Sequence, residues 1–224
     1  AGSGASEIRK YVISSDLVEA IVQLPTELFY NTGISTYIWV LTKGKSMQRS
    51  GKVQLIDASK CFVKRRKNIG SKRVDLDDAC IELILHAYED FDNKLYEDNG
   101  LSVESKVFDN SYFGFTKVTV ETAQTDDCGK LILKKGKKQP VKGKSDTEII
   151  PLSENIDAYM EKNVLPYNPL AYIDPAKDKI GYEVPFTRLF YKFEAPASSE
   201  SIFEDIKALE VEETILMKEL FGHA

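Results

Sequence analysis

The chain has 224 residues, 42% hydrophobic and 29% charged, enough to bury the core of one large domain or slightly more. No apolar run approaches the length needed to cross a bilayer, and three scattered cysteines with only His86 and His223 exclude a zinc constellation. The net charge of −5 is segregated: Lys60 to Arg73 and Gly129 to Lys144 each hold seven basic residues and no acid, leaving 16 basic against 35 acidic residues elsewhere. An acidic body with two basic stretches suits local contact with a polyanion, not general nucleic-acid binding.

In chain order, the opening Ala1-Gly2-Ser3-Gly4 has no initiator Met and no basic-then-apolar leader, a pattern expected of a piece of a longer protein. Ser6 to Ser14 reads as a short helix, with Glu7, Arg9 and Lys10 outward and Ile8, Tyr11 and Val12 on a buried side. Leu17 to Val22 is an apolar strand stopped by Leu24-Pro25, and Phe29-Tyr30-Asn31-Thr32-Gly33 is turn chemistry, because Asn and Gly accept left-handed backbone. Ser35 to Leu41, β-branched and aromatic, is the strongest strand pattern in the chain, and Val53 to Asp57 is another. Strands so apolar on both faces are expected inside a sheet covered by helices on each side. Asp75 to about Lys94 reads as a helix, with Ile81, Ile84, Leu85, Tyr88 and Phe91 at helical spacing.

Val107-Phe108 and Phe115 to Glu121 read as extended segments. The lysine-rich stretch containing Gly129, Gly136, Pro140 and Gly143 is expected to break regular structure, giving a flexible loop over 122–150 between regions 1–121 and 151–224. Ser153 is placed to cap a helix running to Asn163, after which Pro166, Pro169, Pro175 and Pro185 keep the chain extended or turning. Ser198 to Phe221 reads as a long helix. Its apolar positions Ile202, Ile206, Leu209, Leu216 and Leu220 follow three-four spacing, interrupted by Glu213. Such a seam serves a partner helix or packs on its own domain; spacing alone does not choose.

Two short motifs carry no chemistry. Gly2-Ser3-Gly4 precedes a helix, but a cofactor-binding glycine loop needs a strand in front of it. Asn168-Pro169-Leu170-Ala171 lacks the second proline and the aromatic that let an Asn-Pro-Pro-aromatic tetrapeptide hold and stack an amino base.

The longer stretch Leu24-Pro25-Thr26-Glu27-Leu28-Phe29-Tyr30-Asn31-Thr32-Gly33-Ile34, running on to Leu41, resembles the motif VIII region of the type I branch of adenine-N6 DNA methyltransferases. Gly2 to Lys10 resembles the helix before it, and Gly51 to Ser59 the strand and loop after it. Downstream, Asp146-Thr147-Glu148, Pro151-Leu152, Ile156 to Tyr159 and Gly181 to Tyr191 also resemble the modification subunit of type I restriction–modification systems, in the same order.

The resemblance implies an α/β chain: the last strands, mixed or antiparallel, of a Rossmann-like methyltransferase sheet, followed by a C-terminal helical region. It implies a complete protein that carries a methyl group from S-adenosylmethionine to N6 of an adenine flipped out of duplex DNA, in the cytoplasm. Such an amine is buried in the base stack, so the base must be extruded and held by stacking. Carried onto this sequence, Phe29 or Tyr30 would lie against the base, with Asn31, Thr32 and Gly33 shaping the turn. Lys64, Arg65, Arg66 and Lys67 would meet DNA phosphates, which adds affinity without sequence information. Ile202, Ile206, Leu209, Leu216 and Leu220 would contact the specificity subunit, and the restriction subunit would complete the system. The cofactor loop and the Asn-Pro-Pro-Phe motif of the family do not occur in these residues, so the chain by itself is expected to methylate nothing. Two other readings stand beside this one: a non-catalytic α/β scaffold of a protein–DNA assembly, and a type IIG-like adenine methyltransferase sharing the same sheet terminus.

Overall fold

The structure, a computed structural model, describes residues 1–193 and 195–222; His223 lies outside them. Contacts divide the chain into two compact units, Ala1–Phe186 and Thr187–Ala224. The first begins with α1 (Gly4–Ser14), whose N-cap Ser3 accepts the Ser6 amide, satisfying one of the donors a helix start leaves orphaned. Then come β1 (Val18–Gln23), β2 (Tyr37–Leu41), β3 (Lys52–Asp57), β4 (Val63–Ile69), β5 (Lys72–Asp75), α2 (Asp78–Asp90), β6 (Lys94–Asp98) and β7 (Leu101–Asp109).

Five of these strands form one sheet in the order β2-β1-β3-β7-β6, in which β1 and β3 are parallel and every other neighbouring pair is antiparallel. Its core joins Val22, Ile56, Val103 and Tyr96 of the strands to Cys80 and Ala87 of α2, with Leu24, Leu28, Cys61 and Val74 from the connections. At the other end of α2, Arg49 is sandwiched against the rings of Tyr88 and Phe91, each centroid 4.4 Å from its guanidinium carbon. Arg49 also donates to the Gln54 amide oxygen and the Tyr88 carbonyl and pairs with Glu19, while buried Gln54 donates to the Ala87 carbonyl and the Ser105 hydroxyl. This satisfied polar cluster locks helix to sheet.

A second sheet follows, built on β8 (Gly114–Ala123). A two-residue hairpin of β9 (Leu133–Lys134) and β10 (Lys137–Lys138) leads into β11 (Pro140–Pro151), which pairs along one side of β8. After α3 (Ile156–Asn163), β12 (Ala171–Ile173) and β13 (Lys179–Tyr182) pair along the other side. Val118, Val120, Ile150, Met160, Val164 and Ala171 form the core between this sheet and α3. β13 also anchors α1 from far along the chain: Arg9 donates to the Tyr182 carbonyl at 2.8 Å, and the Tyr182 amide donates to Ser6. Short α4 (Phe186–Phe190) comes next, then α5 (Ser199–Phe221), whose N-cap Ser198 accepts the Ser201 amide and which carries no buried residue.

Several expectations change. The strongest strand pattern, β2, lies at the end of its sheet and not inside it, with Tyr37, Ile38, Trp39 and Leu41 all at least 40% exposed. Strand propensity measures fit to a pleated surface; interior position depends on a second pairing strand, which the described residues do not supply. The helix expected to run to Lys94 stops at Asp90, because Phe91 takes a left-handed conformation and Lys94 starts β6. Asn155, not Ser153, caps α3, its side chain accepting the Ala158 amide. The region 122–150, expected to be a flexible loop, holds β9, β10 and most of β11, since its glycines serve a turn and a bulge between paired strands. The basic stretch after β3, for which no strand was expected, is a β-hairpin.

Candidate functional site

The segment after β1 is pinned by its apolar residues and turns outward at its aromatic ones. Leu24, Pro25 and Leu28 are buried, whereas Phe29 is 44% and Tyr30 56% exposed. A single bridge between Phe29 and Thr32 closes the bend, and the Thr32 hydroxyl accepts the Ile34 amide. The left-handed residue here is Glu27 (φ 58°), rather than Asn31 or Gly33 where turn chemistry pointed.

Glu27 is held by β5. Its carbonyl accepts the Arg73 amide at 2.9 Å and its carboxylate pairs with the Arg73 guanidinium at 2.9 Å. Two residues earlier in the hairpin the Tyr30 carbonyl accepts the Ser71 amide at 2.9 Å, and the Lys72 ammonium stands 5.5 Å from the centre of the Tyr30 ring. Gly70 (φ 59°) packs so closely that a Cβ there would sit 2.6 Å from the Tyr30 carbonyl oxygen. Only glycine meets both demands, positive φ and close approach. The β4–β5 hairpin is therefore clamped along the aromatic turn, and two groups separated by more than 30 residues share one surface.

The four basic residues singled out on this hairpin are not equivalent. Arg65 pairs with Asp75 across the strands, and Lys72 reaches the same carboxylate at 2.8 Å. The hydrogen bond from Lys72 and the charge of Arg65 hold the Asp75 carboxyl below its ordinary range, so it stays ionised and neutralises much of Arg65. Lys64, Arg66 and Lys67 are exposed and have no ion-pair partner among the described residues. These three are the cations free to meet an anion.

Sequence reasoning missed the hairpin that joins the two groups. Its signal lies inside the basic run: Gly70-Ser71 between extended segments is a two-residue hairpin turn. On α5, Ile202, Ile206, Leu209, Leu216 and Leu220 are all exposed on one stripe, with Glu213 in its middle. Among the described residues no three His, Cys, Asp or Glu side chains converge as metal ligands, and no helix is long and apolar enough to cross a membrane.

The chain is thus a mixed α/β protein that presents an aromatic turn beside cations without an ion-pair partner among the described residues. Residues 1–127, more than half of the chain, match the N-6 DNA methylase family, and the chain belongs to it. The methylase subunit of the type I restriction enzyme HindI from Haemophilus influenzae is 37% identical over 127 residues, covering 55% of this chain and 28% of that subunit. The MjaVIII methylase subunit from Methanocaldococcus jannaschii is 39% identical over 90 residues, 40% of this chain and 15% of that subunit. The chain thus spans well under a third of the relatives it matches. A solved structure of the type I restriction-modification methyltransferase subunit from Streptococcus thermophilus is 28% identical, with a TM-score of 0.40, over 50% of this chain and 21% of that one.

Proposed function

We propose that the chain is the C-terminal part of a type I modification subunit, whose complete protein methylates adenine N6 in duplex DNA. The observation that carries this reading is the surface shared by the exposed Phe29 turn and the three unpaired cations of the clamped hairpin. Phe29 is the ring that stacks on the extruded adenine. Tyr30 is committed elsewhere, its carbonyl to Ser71 and its ring to Lys72, whereas Phe29 has no aromatic or cationic partner among the described residues. Thr32 fixes the bend by accepting the Ile34 amide, and Asn31 and Gly33 complete it. Lys64, Arg66 and Lys67 seat the adjoining phosphates, with Arg65 a lesser contributor because Asp75 holds it.

The described residues do not fit S-adenosylmethionine. In Gly2-Ser3-Gly4, Ser3 is spent on capping α1, and Gly2 is packed against Lys179. The cofactor and the group that receives the amine's hydrogen bonds belong to another part of the complete protein, so this chain alone transfers no methyl group. The open edge of β2, with both faces exposed, supports a methyltransferase sheet that continues there into a further strand. The exposed stripe of α5 supports contact with the specificity subunit, alongside a restriction subunit in the assembled system. Three free cysteines suit a reducing cytoplasm. A second reading is a scaffold module that binds DNA without chemistry in its parent.

The test is salt-dependent binding of a DNA duplex by this chain. Each phosphate contact adds about 0.9 to the slope of log K against log salt, so replacing Lys64, Arg66 and Lys67 by Ala lowers it by about 2.7. Arg65→Ala changes it far less. An unaltered slope in the triple variant refutes the phosphate role. Methylation by the full-length protein separates the enzyme from the scaffold.

A further inference from the structure

One residue of the hairpin has no part in phosphate binding. Ile69 ends β4, is 47% exposed and stands at the tip of a ribbon whose other outward residues, Lys64, Arg66, Lys67 and Asn68, are polar or charged. It is also fixed in place. In the strand register it faces Lys72, whose ammonium lies by the Tyr30 ring, and the next residue, Gly70, is wedged against the Tyr30 carbonyl. The tip therefore sits one residue from the aromatic turn. A long β-branched side chain held there is not among the buried core residues.

Pulling a base out of a duplex leaves an apolar gap between two base pairs and strips the opposite base of its partner. Proteins that open or kink base steps fill them with Ile, Leu, Met or Phe, because the faces exposed are apolar. Resting on the reading of this surface as the DNA contact, we propose that Ile69 is the wedge that enters the space vacated by the extruded base. Lys64, Arg66 and Lys67 complement the phosphates on either side, so the occupant of this surface is duplex DNA with one base out of the stack. Asn68, beside Ile69, has the donors and acceptor to meet the orphaned base.

The probe is a fluorescent duplex with one abasic position, compared with the same duplex intact. The wild-type chain is expected to bind the abasic duplex about tenfold more tightly, from burial of one aliphatic side chain. Ile69→Ala is expected to lower that preference to within about twofold while keeping the salt slope, and Ile69→Leu to retain it. Because Ile69 is exposed, the melting temperature of Ile69→Ala reports directly whether its fold is intact. A preference unchanged in folded Ile69→Ala, or absent in wild type that binds both duplexes, overturns the wedge and leaves the phosphate-binding reading standing. No binding of wild type to either duplex overturns both.

Discussion

Gly70→Ala perturbs the joint between the basic hairpin and the aromatic turn. An alanine held at φ 59° costs about 1–2 kcal/mol relative to glycine. Its Cβ would also stand 2.6 Å from the Tyr30 carbonyl oxygen, a backbone atom that cannot swing aside. The hairpin must then retreat, and the bond from the Ser71 amide to that carbonyl, 2.9 Å in the native chain, is lost. A backbone hydrogen bond contributes about 0.5–1.5 kcal/mol, so the total is about 1.5–3.5 kcal/mol. For a chain of this size that lowers the melting temperature by about 3–14 °C. Differential scanning calorimetry measures the shift, and anisotropy with a DNA duplex measures whether the misplaced cations bind less tightly. A Gly70→Ala variant that melts like wild type and binds DNA equally well would show that the hairpin is not clamped to the turn.

Arg49→Ala removes the guanidinium between Tyr88 and Phe91 and leaves Gln54, Glu19 and the Tyr88 carbonyl short of a donor. A loss of about 3 kcal/mol is expected in urea unfolding, and a change under about 1 kcal/mol would mean the cluster is not cooperative. Burial pushes the Cys61 thiol up to about 12, with Cys80 beside it, and Cys80 is raised too, whereas Cys128 is exposed. One thiol is therefore expected to react with an alkylating reagent in the native chain and three after unfolding; rapid native modification of all three would contradict this burial. Burial beside Asp90 and Asp92 likewise raises Tyr96 to about 12. Both groups bind protons more tightly folded than unfolded, so stability is present at neutral pH and falls as pH rises from about 9 toward 12. A urea midpoint at pH 10 equal to that at pH 8 would refute that linkage. Glu213→Leu completes the apolar stripe of α5, which carries seven acidic and only two basic residues. Sedimentation at micromolar concentration is expected to show stronger self-association than wild type, and an unchanged mass would argue against an association surface.

Most helices were legible because their signals are local. Ser198 stands where a cap is needed and α5 follows it to Phe221; α1 forms where it was expected, but its buried residues are Ser6 and Ile13, while Ile8 and Tyr11, read as the buried side, are exposed because β13 packs on a different face. What escaped the sequence was set by distant partners. β2 has the composition of an interior strand, but its place at a sheet end depends on a neighbour it does not have among the described residues. The lysines of β9, β10 and β11 look like a solvated loop until β8 supplies a partner for the longest of these strands. At the site, Phe29, Tyr30 and the basic run were each readable, as residue types. That they touch was not, because the contact runs through backbone atoms of Gly70, Ser71 and Tyr30. The difference between Arg65 and its three neighbours was hidden for a similar reason, since Asp75 lies ten residues away and is brought alongside by strand pairing.

The most direct test is Phe29→Ala in the full-length protein, assembled with its partner subunits, scored by methyl incorporation at adenine N6 in unmodified DNA. Loss of one base–aromatic stack is worth about 1–3 kcal/mol, so the rate should fall about 5- to 150-fold while cofactor affinity holds. Methylation at the wild-type rate would contradict the assignment of Phe29 to the extruded adenine.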